Sequence, residues 1–61
     1  MPVVTIQARA LPTEKKRELV QQITELVCAT YGLPAESVTV FIQEFPRDNI
    51  GVAGGLIADR E

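Results

Sequence analysis

The sequence predicts an α/β (α+β) fold: a single β-α-β unit with a short C-terminal hairpin, whose sheet is extended when copies of the chain associate. Two stretches, 3–9 and 37–45, alternate apolar and polar residues with a period of two, which is typical of strands. Between them, apolar residues recur at helical spacing over about five turns. Three of the four glycines follow Pro46, where they indicate a hairpin.

The first strand and the helix are separated by a short break. Pro12 ends the strand, and Thr13 is the expected N-cap of the helix. The predicted apolar face of the helix consists of Leu19, Val20, Ile23, Leu26, Val27 and Tyr31. Gly32 and Pro34 are expected to end the helix. The basic cluster 15–17 is expected to pair loosely with surface glutamates.

The second strand carries apolar groups on both of its faces. Val38, Val40 and Ile42 lie on one side, and Phe41 lies on the other. Such a strand fits a sheet covered by helix on one face and by further protein, such as another subunit, on the other. Two strands alone make a marginal sheet, so neighbouring chains are expected to extend it. Residues 1–61 are predicted to form one domain, with positive φ angles expected at the glycines Gly51, Gly54 and Gly55 of the hairpin.

Composition excludes several classes of function and predicts association. A chain of 61 residues is near the lower size limit for a stable monomer. One cysteine and no histidine exclude an intrachain disulfide and the usual zinc or copper ligand sets, so no metal is expected. A net charge of −2 and three aromatic residues argue against nucleic acid, and no apolar run could span a membrane. A cytoplasmic homo-oligomer is the resulting prediction.

The first residues, MPVVTIQARA, offer a candidate catalytic group. A small second residue permits removal of Met1, which would leave Pro2 with a free secondary amine at the start of a strand. The reference pKa of an α-amino group is about 7.7–8.0, and burial among apolar side chains lowers it. Such an amine is a neutral base near pH 7. The structural alternative is that Pro2 only opens an edge strand, where proline is tolerated.

Four segments carry a resemblance to a known family: Met1–Val4, PTEKKRELV, LPAESVTVFIQE and NIGVAGGLIADR. Together they cover nearly all of the chain, which resembles the 4-oxalocrotonate tautomerase family. This family belongs to the tautomerase superfamily and includes proteins similar to 2-hydroxymuconate tautomerase. The resemblance implies an isomerase whose amino-terminal proline, here Pro2, is the general base in keto-enol or allylic proton transfer in an unsaturated 2-oxo acid. It also implies a homohexamer built as a trimer of dimers, without a cofactor.

The resemblance is incomplete at the substrate-binding positions. The family's two arginines fall at Leu11 and Thr39, and its aromatic residue before the hairpin glycine falls at Ile50. Arg9 is the nearby substitute, and we predict that these four residues contact the substrate. Arg9 lies seven residues beyond Pro2, about 23 Å along a strand. Only assembly could bring Arg9 of one copy to Pro2 of another.

Three alternatives remain open at this stage. Backbone N–H groups, or Arg47 of a neighbouring copy, could serve as the oxyanion donors instead of Arg9. The chain could also be a non-catalytic β-α-β oligomeric module for ligand binding or structure that has lost the arginine clamp. A different reaction dependent on Pro2, such as hydration or decarboxylation, would use the same fold.

Overall fold

The computed structural model describes residues 1–60 and shows a β-α-β unit followed by a small hairpin. The elements are β1 (Val3–Ala8), α1 (Thr13–Tyr31), β2 (Thr39–Glu44), β3 (Gly51–Val52) and β4 (Gly55–Leu56). Short 3-10 turns at Ala35–Ser37, Arg47–Asn49 and Ile57–Asp59 connect or follow them. The predicted β-α-β unit and C-terminal hairpin are both confirmed.

The two long strands form a parallel sheet. Their register runs from Val3 opposite Thr39 to Ala8 opposite Glu44. In β1, Val4 and its alternate neighbours are half-buried, whereas the residues between them are exposed. Because side chains alternate across a strand, α1 covers one face of the sheet and leaves the other open.

The open face of the sheet is apolar at one end and polar at the other. Val3 is 58% exposed and Phe41 is 54% exposed on this face. Towards the other end, Gln7 Nε2 donates a hydrogen bond of 2.9 Å to Gln43 Oε1. An exposed ring beside an exposed valine is apolar surface that another protein surface would cover.

A proline precedes the start of α1, and a glycine with positive φ ends the helix. At the start, Pro12 precedes the helix with φ −59°, and its carbonyl accepts hydrogen bonds from the backbone of Lys15 and Lys16 at 3.0 and 3.1 Å. The prediction of Thr13 as N-cap is wrong: it is the first helical residue, because the proline ring already holds the φ that the entry requires. At the other end, Gly32 has φ 68° and donates to Cys28 O at 2.8 Å, as predicted.

The apolar face of α1 is only partly covered. Its half-buried members are Leu19, Val20, Ile23 and Val27. Leu26 and Tyr31 are each 68% exposed, so the prediction that they pack inward is wrong for the single chain. Two strands spaced about 4.8 Å apart make a surface narrower than a helix of about 10 Å diameter with a wide apolar stripe.

The hairpin of β3 and β4 turns through Ala53 and Gly54, with φ of 55° and 84°. Two consecutive positive φ angles match a type I′ turn, the connection that suits the twist of a two-residue hairpin. The expectation of positive φ is therefore confirmed for Gly54 and wrong for Gly51 and Gly55, which lie in the strands.

Residues 1–60 are extended and enclose no fully buried core. The chain's radius of gyration is 15.0 Å, compared with about 10.5 Å for a compact domain of this length. Its accessible surface of 4746 Å² exceeds the roughly 3,900 Å² of a compact monomer of this mass. Among residues 1–60, no side chain is fully buried. Also within that range, no helix is both long and apolar enough to cross a membrane.

Candidate active site

Pro2 lies directly before β1, at the amino-terminal edge of the parallel sheet. Pro2 is half-buried, and its carbonyl accepts a 3.1 Å hydrogen bond from the backbone N–H of Thr39. Met1, which is 88% exposed, precedes it. The proline ring fixes one backbone angle and the hydrogen bond fixes the carbonyl, so the direction of the Pro2 nitrogen is restricted.

Thr39 is the predicted substrate-binding residue that the sheet brings beside Pro2. It opens β2, is half-buried, and is paired in register with Val3. This placement follows from the parallel arrangement, which puts the beginnings of both strands at the same edge. The backbone at position 39 therefore lies beside Pro2 within one chain.

Arg9 and Leu11 lie beyond the other end of β1. Both are exposed, and Arg9 is separated from Pro2 by the full length of the six-residue strand. The single chain therefore does not bring them to Pro2. Their contribution to a site with Pro2 needs a second copy of the chain.

Ile50 belongs to the C-terminal segment, which chiefly contacts itself. It is half-buried, its carbonyl accepts a 2.8 Å hydrogen bond from Ile57 N, and its own N–H donates to Arg47 O at 3.4 Å. Within this segment, the turns at Arg47–Asn49 and Ile57–Asp59 pack against each other. Ile50 is thus held by its own segment rather than by the sheet that carries Pro2.

Arg47, one of the alternative oxyanion donors, is already engaged within its own segment. Its Nη2 donates to Ile57 O at 3.2 Å and to Arg60 O. Arg60 Nη2 in turn donates to Val52 O at 2.7 Å. Both guanidinium groups therefore tie backbone carbonyls of the hairpin segment together. Arg47 Nε is enclosed and has no hydrogen-bond partner among residues 1–60.

Sequence reasoning missed a cluster centred on Glu44. Its Oε2 accepts a 3.0 Å hydrogen bond from the backbone N–H of Leu11 and lies 3.0 Å from Lys16 Nζ. These contacts favour the charged carboxylate: the Leu11 N–H foremost, and then Lys16, lower the pKa of Glu44. The missed signal was register, because Glu44 shares the side of β2 that faces the helix with Ile42, two residues earlier.

An open groove of about 470 Å³ lies elsewhere, along the first half of α1. Its lining consists of Thr13, Lys16, Arg17, Val20 and Gln21. All of these residues lie on one helix flank near the carboxyl end of β1, away from Pro2. We therefore place the candidate site at Pro2 and regard the groove as an uncovered helix surface. Within residues 1–60, no group of three or more His, Cys, Asp and Glu could hold a metal ion.

These features define a class of protein: a small α+β protomer with a proline at the start of a parallel strand and one sheet face left uncovered. The family model described as "Tautomerase enzyme" matches residues 2–60, so the chain belongs to the tautomerase family and, within it, to the 4-oxalocrotonate tautomerases. Because tautomerases are isomerases, the chain is an isomerase.

Known relatives match over nearly all or all of the chain. It is 42% identical to 2-hydroxymuconate tautomerase of Bacillus subtilis (strain 168), over 100% of both chains. A crystal structure of a 4-oxalocrotonate tautomerase homologue (TTHB242) shares 39% identity, with a TM-score of 0.91, over 100% of this chain and 98% of that one. DmpI from Archaeoglobus fulgidus shares 40% identity, with a TM-score of 0.84, over 95% and 100% of the two chains.

Proposed function

We propose that the mature chain uses the secondary amine of Pro2 as the general base of a tautomerase acting on an unsaturated 2-oxo acid of the 4-oxalocrotonate or 2-hydroxymuconate type. The supporting observation is the placement of Pro2: half-buried at the strand start, with its carbonyl held by Thr39 N–H and Met1 exposed before it. Removal of Met1 converts the Pro2 nitrogen from an amide into a base.

The proposed reaction moves one proton. The Pro2 nitrogen takes a proton from the enol oxygen or from a carbon next to the carbonyl group, the double bonds shift, and the same proton is returned to another carbon. The substrate and the product are isomers, so the reaction needs no oxidant or reductant. A base of this kind contributes about 10²–10⁴-fold to the rate.

The proposal includes assembly of identical copies, as a hexamer of three dimers. The extended shape, the excess surface and the exposed Val3 and Phe41 support association of the single chain. In this assembly Arg9 of one copy binds a substrate carboxylate near Pro2 of another, and Leu11, Thr39 and Ile50 line the pocket. The chain acts as one domain, and its cytoplasmic location stays a prediction.

The test combines intact mass with turnover. Mass spectrometry should show a chain that begins at Pro2, and the ultraviolet absorbance of an enol such as phenylenolpyruvate should decay in its presence. Pro2→Ala should lower kcat/KM by about 10²-fold or more. Pro34→Ala, at an exposed proline outside the sheet, is the matched control.

A capped chain gives a sharper version of the same test. A protein with an additional residue that stays attached ahead of Pro2 keeps every side chain but has no free amine. We expect it to assemble normally and to lose turnover. Equal rates for the capped and processed forms would contradict the proposal. A processed, assembled wild type without turnover on any enol would favour the non-catalytic module.

A further inference from the structure

We propose that Glu44 is a positioning residue that holds the Arg9–Pro12 loop in place for substrate binding. This inference rests on the proposed function, because it concerns the loop that carries Arg9 and Leu11. Glu44 itself does not touch the reacting atoms. It acts through the backbone of the loop.

The geometry joins three elements at one oxygen atom. Glu44 ends β2, Leu11 lies in the loop after β1, and Lys16 lies in the first turn of α1. Glu44 Oε2 accepts from Leu11 N at 3.0 Å and from Lys16 Nζ at 3.0 Å. A single carboxylate therefore connects the loop to the strand and to the helix that flank it.

The remaining contacts fix the two ends of the loop but not its middle. Before the loop, Ala8 is paired with Glu44 in the sheet, and Ala8 O accepts from Phe45 N at 2.9 Å. At its end, Pro12 O accepts from the backbone N–H of Lys15 and Lys16. The bond from Leu11 N to Glu44 adds a fixed point between these ends. Ordering loop residues costs conformational entropy, and a charge-assisted hydrogen bond offsets part of that cost.

The carboxylate contact matters because the loop departs from the family pattern. Position 11 carries a leucine, whose side chain cannot bind a carboxylate, and the cation within the loop is Arg9, which is exposed. A long, flexible arginine binds an anion well only when the backbone beneath it is fixed. Loosening the loop should therefore weaken substrate binding and leave proton transfer at Pro2 largely unchanged.

The experiment compares four variants of the processed, assembled protein with phenylenolpyruvate as substrate. Glu44→Leu removes the acceptor, and we expect KM to rise about fivefold to tenfold with kcat within about twofold. Glu44→Gln keeps an oxygen for Leu11 N–H, and Lys16→Met removes only the ammonium group. Both should raise KM less than Glu44→Leu does. Glu18→Gln, an exposed carboxylate elsewhere on α1, is the control and should leave KM unchanged.

Amide hydrogen exchange provides a second measurement that does not depend on turnover. In Glu44→Leu, the Leu11 amide should exchange at least about tenfold faster than in wild type, because its acceptor is gone. If Glu44→Leu does not assemble, Glu44→Asp takes its place, since the shorter side chain cannot hold both partners. It should raise KM at least about threefold by the same argument.

Two results would overturn the inference. One is an unchanged KM in an assembled Glu44→Leu or Glu44→Asp protein. The other is a loss of kcat equal to any rise in KM, which would show a general structural effect. The proposed function fails separately, through undiminished turnover of Pro2→Ala or of the capped chain. If the wild type were inactive, the loop would have no substrate to bind, and this inference would fail as well.

Discussion

The backbone N–H of Thr39 donates a 3.1 Å hydrogen bond to the carbonyl oxygen of Pro2, which anchors the start of β1 to the start of β2. This bond is the first of the parallel ladder, whose register begins with Val3 opposite Thr39. Because this hydrogen bond involves the carbonyl oxygen of Pro2, it would persist when removal of Met1 turns the Pro2 nitrogen into a free amine. The residue proposed as the base is therefore held by the backbone of the sheet.

The first prediction concerns the pH dependence of turnover. The base acts in its neutral form, so kcat/KM should rise with pH through the pKa of the Pro2 amine and then level off. The reference value for an α-amino group is about 7.7–8.0, and burial in the assembly should place the midpoint below it. The measurement is kcat/KM for enol decay between pH 5 and 9.

The capped chain serves as the control for that profile. It should show no rising limb, because it has no titrating amine. A wild-type rate that falls as pH increases from 5 to 8 would contradict a neutral base, since it would require the protonated form of the reacting group.

The second prediction concerns stability in acid. The pKa of Glu44 is lowered in the folded chain from the usual value of 4.5 by Leu11 N–H and Lys16. A group with a lowered folded pKa stabilises the fold above its unfolded pKa, and that stability is lost as pH falls through the folded value. Wild type should therefore lose stability between pH 5 and 3, and Glu44→Gln should lose less over the same range.

Thermal unfolding of the two proteins between pH 7 and 3 checks this prediction. Glu18→Gln, whose carboxyl group is exposed on the helix, should follow the wild-type curve. Parallel curves for wild type and Glu44→Gln would show that the Glu44 contacts contribute nothing to folding. The effect should shrink at high salt for the Lys16 contact, because that ion pair is partly exposed.

Periodicity could predict the long elements because both strands and the helix are local patterns. The contacts of Glu44 with Leu11 and Lys16 could not be predicted in the same way, since they depend on the register that places Glu44 opposite Ala8. The exposure of Leu26 is a different kind of failure. Its helical spacing is correct, but the single chain has too little sheet to cover it. The helical pattern alone does not tell whether the chain's own sheet or another protein surface covers such a position.

The hairpin turn supplies the third prediction. Ala53 has φ 55°, a conformation that costs an L-residue with a Cβ roughly 1 kcal/mol or more. Ala53→Gly removes this strain but adds freedom to the unfolded chain, which offsets part of the gain. We expect a net stabilisation of about 0.5 kcal/mol, measured by chemical denaturation of the assembled protein at constant concentration.

The matched control is Ala29→Gly, in an exposed position of α1. The same substitution there should destabilise by about 1 kcal/mol, because glycine is a poor helix former. Destabilisation by Ala53→Gly of the size seen at Ala29 would mean that the turn does not hold Ala53 at positive φ in solution.

The fourth prediction concerns the open face of the sheet. Phe41 is 54% exposed in the single chain, next to Thr5 across the ladder, and the proposed assembly covers it. Phe41→Asp would place a charge in an apolar interface, where an unpaired charge is costly. The variant should sediment as smaller species than wild type and should lose turnover in proportion, since Arg9 and Pro2 then no longer meet.

Tyr31→Asp, at an aromatic residue 68% exposed on the helix, separates a specific effect of this face from a general effect of lost apolar surface. If Phe41→Asp remains fully assembled and active while Tyr31→Asp dissociates, the helix surface and not the sheet face carries the association.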